Sequence, residues 1–186
     1  MRIAILIVAI FGTVICLSLV GFQGCVACQQ GGCAACMAAA RPAVANIEES
    51  NASEGADKVF GEMASTAGTL ALANLLSGVG LFLQAILGLW GGIVAFSKLG
   101  EGQKAKKGAV LLSIGLGVTA LTHIIGIIMV LNIYETALPS KNDLAINILV
   151  ILVIGLFLHG IATVMAFLAK PNQALPPMIE SPVDHP

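Results

Sequence analysis

The densest chemistry in the chain is a cysteine array, Cys25-Val-Ala-Cys28-Gln-Gln-Gly-Gly-Cys33-Ala-Ala-Cys36. Two CxxC pairs stand four residues apart just after a long apolar run. A turn over Gln29–Gly32 would fold the array into a hairpin and nest two bridges, Cys25–Cys36 and Cys28–Cys33. The outer side of a membrane is oxidising enough to keep them, so structural disulfides are the first reading. Four thiolates also satisfy tetrahedral zinc or an iron–sulfur cluster. Zinc ribbons, however, separate their CxxC pairs by about 15–20 residues, and four make a cramped site. The third reading is thiol–disulfide exchange, which CxxC pairs perform when a thiolate is stabilised. Lipidation of a juxtamembrane cysteine is the fourth. The fifth cysteine, Cys16, lies inside the apolar run and reads as an inert packing residue.

Two histidines are set within otherwise apolar segments, His123 in LTHIIG and His159 in LFLHGI. Ionisable groups in lipid are costly and mark functional sites by default. Counting at about 1.5 Å per residue puts His123 roughly 22 Å from Gly108 and His159 roughly 16 Å from Lys170, so the two fall within a turn or so of each other, at depths that do not match well. Two neutral imidazoles on facing helices would ligate haem or a chlorophyll-type pigment, and a single one could relay protons. The plainer expectation is that each ring bonds a backbone carbonyl or hydroxyl inside a helix bundle. No cofactor is assigned.

The elements that must position these groups follow from hydropathy. The 186 residues are 58% hydrophobic and only 10% charged, with a mean hydropathy of +0.97. A soluble domain is about 25% charged, so the composition excludes an ordinary water-soluble globule. The net charge of −1 excludes the basic footprint of a nucleic-acid binder. Four charge-free stretches, Ile3–Phe22, Met63–Ser97, Gly108–Tyr134 and Leu144–Ala169, each reach the ~20 residues that cross a bilayer as helix. The expected fold is therefore all-α, an integral membrane protein of four transmembrane helices. The second stretch is long enough to start in water, with a bend at Gly78 and Gly80 as the alternative to a straight tilted helix. If the first stretch were a signal cut near Ala39-Ala40, three helices would remain; its length favours a retained anchor.

The basic residues Arg2, Lys98, Lys104, Lys106, Lys107 and Lys170 fall on one side of this topology against Arg41, Lys58 and Lys141 on the other. The positive-inside rule then places both termini in the cytoplasm, across a cell or inner membrane. The organisation reads as a first helix (1–24), an outer Cys-rich and acidic segment (25–64), a three-helix bundle (65–170) and a proline-rich tail (171–186). Asn51-Ala-Ser53 is a glycosylation sequon, Asp143 a candidate cap for the fourth helix and Tyr134 an interfacial aromatic.

Gly88 and Gly92 form a GxxxG pair, and Ser113 and Gly117 a small-xxx-small pair. Both let helix backbones approach closely. Walker A, HExxH, GxSxG and dinucleotide-binding patterns are absent from the sequence, and no length remains for a soluble catalytic domain. The function expected is non-enzymatic: a small multi-pass subunit that packs or oligomerises in a membrane assembly, with the lipid bilayer and other membrane chains or its own copies as partners. A membrane redox protein using the cysteine array is the second reading, and a small transporter or channel the third. The paired CxxC motifs beside a membrane resemble quinone-linked disulfide oxidases of four helices, which place their second pair in a different loop. Residues 69–169, three helices with a basic hairpin loop, resemble small conjugation-type pilins and the accessory helices of larger membrane complexes. No motif there carries residues over.

Overall fold

A computed structural model describes residues 1–45, 52–133 and 141–171. It holds four helices: α1 (Arg2–Ala45), α2 (Ala52–Gly100), α3 (Lys106–Leu131) and α4 (Lys141–Leu168). The described residues contain no strand. All four helices are long and apolar enough to cross a membrane, as the hydropathy required. Asn51 of the sequon, residues 134–140 with Tyr134, and the tail after 171 lie outside the described residues.

One expectation is corrected. The segment Gln29–Gly32 makes no turn, because α1 continues through it to Ala45. Gly31 and Gly32 weaken the intrinsic helix preference, but the flanking Ala, Cys and Gln do not oppose it, and α2 lies alongside with Ala71 against Gly31. At Gly78 and Gly80 the helix is not broken, as the straight-helix reading of the second stretch expected: α2 is helical throughout its 49 residues. An open bend within lipid would leave backbone groups unbonded, and both glycines serve helix contact instead. Gly78 lies against Gln23, and Gly80 against Thr119 and Thr122. Among the described residues only Gly102 has a left-handed backbone, at φ 72°. It ends α2 in a Schellman turn: Gln103 N–H donates to the Lys98 carbonyl at 2.8 Å, and Gly102 N–H to Leu99 at 3.4 Å. Asp143 falls in the first turn of α4, where its charge suits the helix dipole.

The helices pack up-down-up-down in a ring, each against the next. α1 closes on α4, and α2 touches α4 across the diagonal. The packing inverts the pattern of a soluble bundle. Large apolar side chains point outward, with Phe157 at 64% and Trp90 at 61% exposure, while alanine, glycine and polar residues fill the interior. One end is sealed by Ile5, Ala9, Leu99, Leu112 and Ala166. The other is closed by Leu70, Ala73, Val130, Ile133 and Ile148. At the first end Arg2 lies over the Phe96 ring, 4.5 Å from its centroid, and against Gly100. The α2–α3 loop and Lys170 sit at the same end, so basic residues gather there.

α1 and α2 are much longer than their partners. Contact between Gly31 and Ala71, level with the Leu70 cluster, marks where α3 and α4 stop. Beyond it α1 and α2 run on for roughly 20 Å and 27 Å at about 1.5 Å per residue. Half-buried Ala34 and Met37 on α1 and Phe60, Gly61 and Ala64 on α2 form the seam of this projecting hairpin.

Candidate functional site: a buried polar column

Polar residues recur every seven positions on the inner faces of the first two helices: Cys16, Gln23 and Gln30 on α1, Ser77 and Gln84 on α2. Seven residues are nearly two turns, so each set stacks along one face. Two tiers result.

The inner tier surrounds His159, which is fully buried. Gln84 Nε2 donates to the Gly155 carbonyl at 2.8 Å and lies 3.1 Å from His159 Nδ1. A carbonyl only accepts, so the amide nitrogen must face it, and Nδ1 is then the acceptor. The ring proton accordingly sits on Nε2, 3.5 Å from Thr13 Oγ1. Thr13 passes its own proton to the Ala9 carbonyl at 2.9 Å. Cys16 Sγ points to the Gly155 carbonyl at 3.4 Å and sits 3.8 Å from Nδ1. The ring has room because two glycines flank it. A Cβ on Gly12 would come 3.0 Å from His159 Cε1, and one on Gly88 would overlap the ring outright. Four side chains from α1, α2 and α4 are thereby tied into one neutral knot.

The outer tier holds Gln23, Ser77 and His123, each fully buried. His123 Nδ1 lies 2.9 Å from the Thr119 carbonyl, so Nδ1 carries the proton and Nε2 presents a lone pair. That Nε2, Ser77 Oγ and both amide atoms of Gln23 have no hydrogen-bond partner. Contacts along α2 put the three at one level. Thr119 Oγ1 donates to the Gly80 carbonyl at 2.8 Å, Gly126 faces Ser77 and Ala73, and Gln23 faces Gly78. His123 stands between Thr119 and Gly126 on α3. Above this tier Asn74 donates to Gln30 Oε1 at 2.9 Å.

The two histidines are not brought together. His159 meets α2 at Gln84 and Gly88, whereas His123 is level with Ser77 and Gly80, roughly 10 Å away along the axis. Their tautomers are opposite, and metal–nitrogen bonds of about 2.0–2.1 Å cannot span that gap. Each ring does bond protein groups within the bundle, as the plainer expectation held. Among the described residues no three His, Cys, Asp or Glu side chains cluster to hold a metal ion.

The cysteine array lies on the exposed side of α1, and Cys25, Cys28, Cys33 and Cys36 are free thiols. Continuous helix spreads them over an arc of roughly 140°. It also separates Cys25 from Cys36 by about 16 Å, well beyond the ~7 Å limit for a disulfide. The nested pairing is therefore excluded by the helix, and the disulfides expected from the sequence are not formed. Within each CxxC the two thiols are one turn apart. Cys25 and Cys28 flank the outer tier and the upper rim of the bundle; Cys33 and Cys36 lie on the projecting hairpin.

The small-residue pairs divide. Gly88 and Gly92 serve the bundle, against His159 and Ala9, and Gly91 crosses α3 at Gly108. Ser113 and Gly117 face outward, with nothing near Gly117. Gln23, Ser77 and Thr13 had no place in the sequence reading, and Cys16 counted only as packing. The seven-residue spacing of Cys16 and Gln23 and of Ser77 and Gln84 was the available signal, and Thr13 lies outside it.

No family model matches the chain, and neither a curated protein nor a solved structure does so.

Proposed function

We propose that the protein is a structural or accessory membrane subunit whose four-helix body anchors a projecting helical hairpin for contact with other membrane chains or with copies of itself. The overrun of α1 and α2 beyond α3 and α4 carries this reading. A body that only had to span the bilayer would not need helices of 44 and 49 residues beside partners of 26 and 28. The knotted interior supports it, since Gln84, Thr13, Cys16 and His159 use their hydrogen bonds to hold helices together. The outward Ser113 and Gly117 give a second, lateral surface where another helix could approach closely. The basic end, with Arg2 and Lys98, faces the cytoplasm on the positive-inside rule, so the hairpin stands on the outer side of a cell or inner membrane.

The test is position-specific cross-linking in native membranes from the hairpin at Cys33 and Cys36 and from the lipid face at Gly117. A discrete adduct of fixed mass from the hairpin is expected. If no position yields an adduct while the protein remains folded and membrane-inserted, the subunit reading is lost.

A second reading, thiol–disulfide exchange, is favoured by one observation: each CxxC presents two exposed thiols one turn apart. Equilibration in glutathione buffers checks it. A redox role requires thiols to disappear in twos within a biological range of potential, with the helix retained.

A further inference from the structure

The outer tier sets three fully buried polar residues at one level of the bundle, with four unpartnered atoms. Buried polar atoms in native proteins are paired, with water where protein partners are missing, and the cost of leaving them dry is greatest where lipid surrounds the bundle. It exceeds the cost of immobilising a water molecule. The chemistry of the set is balanced. His123 Nε2 is an acceptor, because Nδ1 spends the ring proton on the Thr119 carbonyl. Gln23 Oε1 is a second acceptor. Gln23 Nε2 and the Ser77 hydroxyl are donors. No charged side chain faces the tier: α1 presents Gln23, α2 presents Ser77, and α3 presents His123. Two acceptors and two donors without net charge match the two hydrogens and two lone pairs of water, which needs two to four polar partners to be held.

We propose that Gln23, Ser77 and His123 form an internal water-binding site in the outer half of the bundle, with bound water donating to His123 Nε2. The site has a floor and a roof. Below it Leu81 fills the α2–α4 diagonal against Gly155. Above it the Leu70–Val130–Ile148 cluster separates it from the outer solvent. The water is therefore a structural ligand, exchanging only as fast as the bundle breathes.

The experiment uses the full chain in lipid nanodiscs with isotope-labelled histidine, glutamine and leucine and reads magnetisation transfer from water protons by NMR. A water contact at the His123 ring, absent at the methyls of Leu112 in the sealed inner cluster, is expected. In Gln23→Leu and in the Gln23→Leu, Ser77→Ala double variant that contact should fall to the Leu112 background while the His159 resonances stay in place. The proposal is overturned if wild-type His123 shows no water contact, or if a direct scalar coupling joins His123 Nε2 to the Gln23 amide. It is equally overturned if the water contact survives both substitutions. Because the wild-type measurement decides the first two outcomes, a variant that fails to fold does not remove the test.

Discussion

At the scale of single residues, the molecule is controlled by where a side chain is absent. Gly88 exists for the His159 ring, so Gly88→Leu must displace the ring or open the α2–α4 contact. Overpacking of this kind costs about 1–3 kcal/mol. A clear drop in melting temperature in detergent or nanodiscs is expected, whereas Gly117→Leu, into open space, should leave it unchanged. Equal effects would mean that His159 does not occupy the Gly12–Gly88 slot. The Gln84–His159 bond is an interhelical contact in lipid, where coupling averages about 0.6 kcal/mol and reaches about 1.7. A double-mutant cycle with Gln84→Leu and His159→Phe should return a coupling in that range, and a value of zero would deny the assigned tautomer. Thiol chemistry gives the simplest check. Cys16 is buried and the other four cysteines are exposed, so a maleimide in detergent should add four labels to the folded chain and a fifth only on unfolding.

At the scale of elements, the α2–α3 hairpin depends on one left-handed residue. Gly102→Ala should cost about 1 kcal/mol, read as a lower melting temperature; no change would mean that the Schellman turn is not formed. Beside it Glu101 bonds Lys98 at 2.7 Å and accepts from Ser97 at 3.1 Å. The Lys98 hydrogen bond first, and then that of Ser97, hold the Glu101 carboxyl below its ordinary range. A lowered carboxylate pKa stabilises the folded state above the unfolded value and loses that effect as pH falls through the folded one. The pair is exposed and screened by salt, so any difference between wild type and Glu101→Gln should be small at neutral pH and vanish at acidic pH. A difference that grows on acidification would reverse the sign and refute the pairing.

At the scale of the whole molecule, the inverted packing decides the solvent. A bundle with Phe157, Trp90 and Leu168 outermost and Gln23, Gln84 and His159 at its centre gains nothing from hydrophobic collapse in lipid. It must hold by close backbone approach and internal hydrogen bonds. With the orientation proposed above on the positive-inside rule, an impermeant maleimide added to sealed cells should reach Cys33 and Cys36 from outside. Labelling only after permeabilisation would invert the topology.

The four spans, their order and the basic end were legible in residue type alone, because the length of an apolar run measures a bilayer directly. Gly88 and Gly92 were legible as packing glycines from the GxxxG pattern, whereas Ser113 and Gly117 share that small-residue spacing and face the other way. A stripe of small residues says that a helix can be approached, not which neighbour approaches. The array from Cys25 to Cys36 read as a turn because glycines and glutamines after a span resemble its end. What overrode that reading was a second helix, α2, lying alongside as far as Ala71 and beyond. Counted from the inner membrane edge, His123 and His159 fall within a turn or so of each other. Their true offset is set by register, which Gly80 fixes against Thr119 and Gly88 fixes against His159. Hydropathy is a property of each segment alone and survives in one dimension. Depth, facing and partnership belong to pairs of helices, and only the packed bundle decides them.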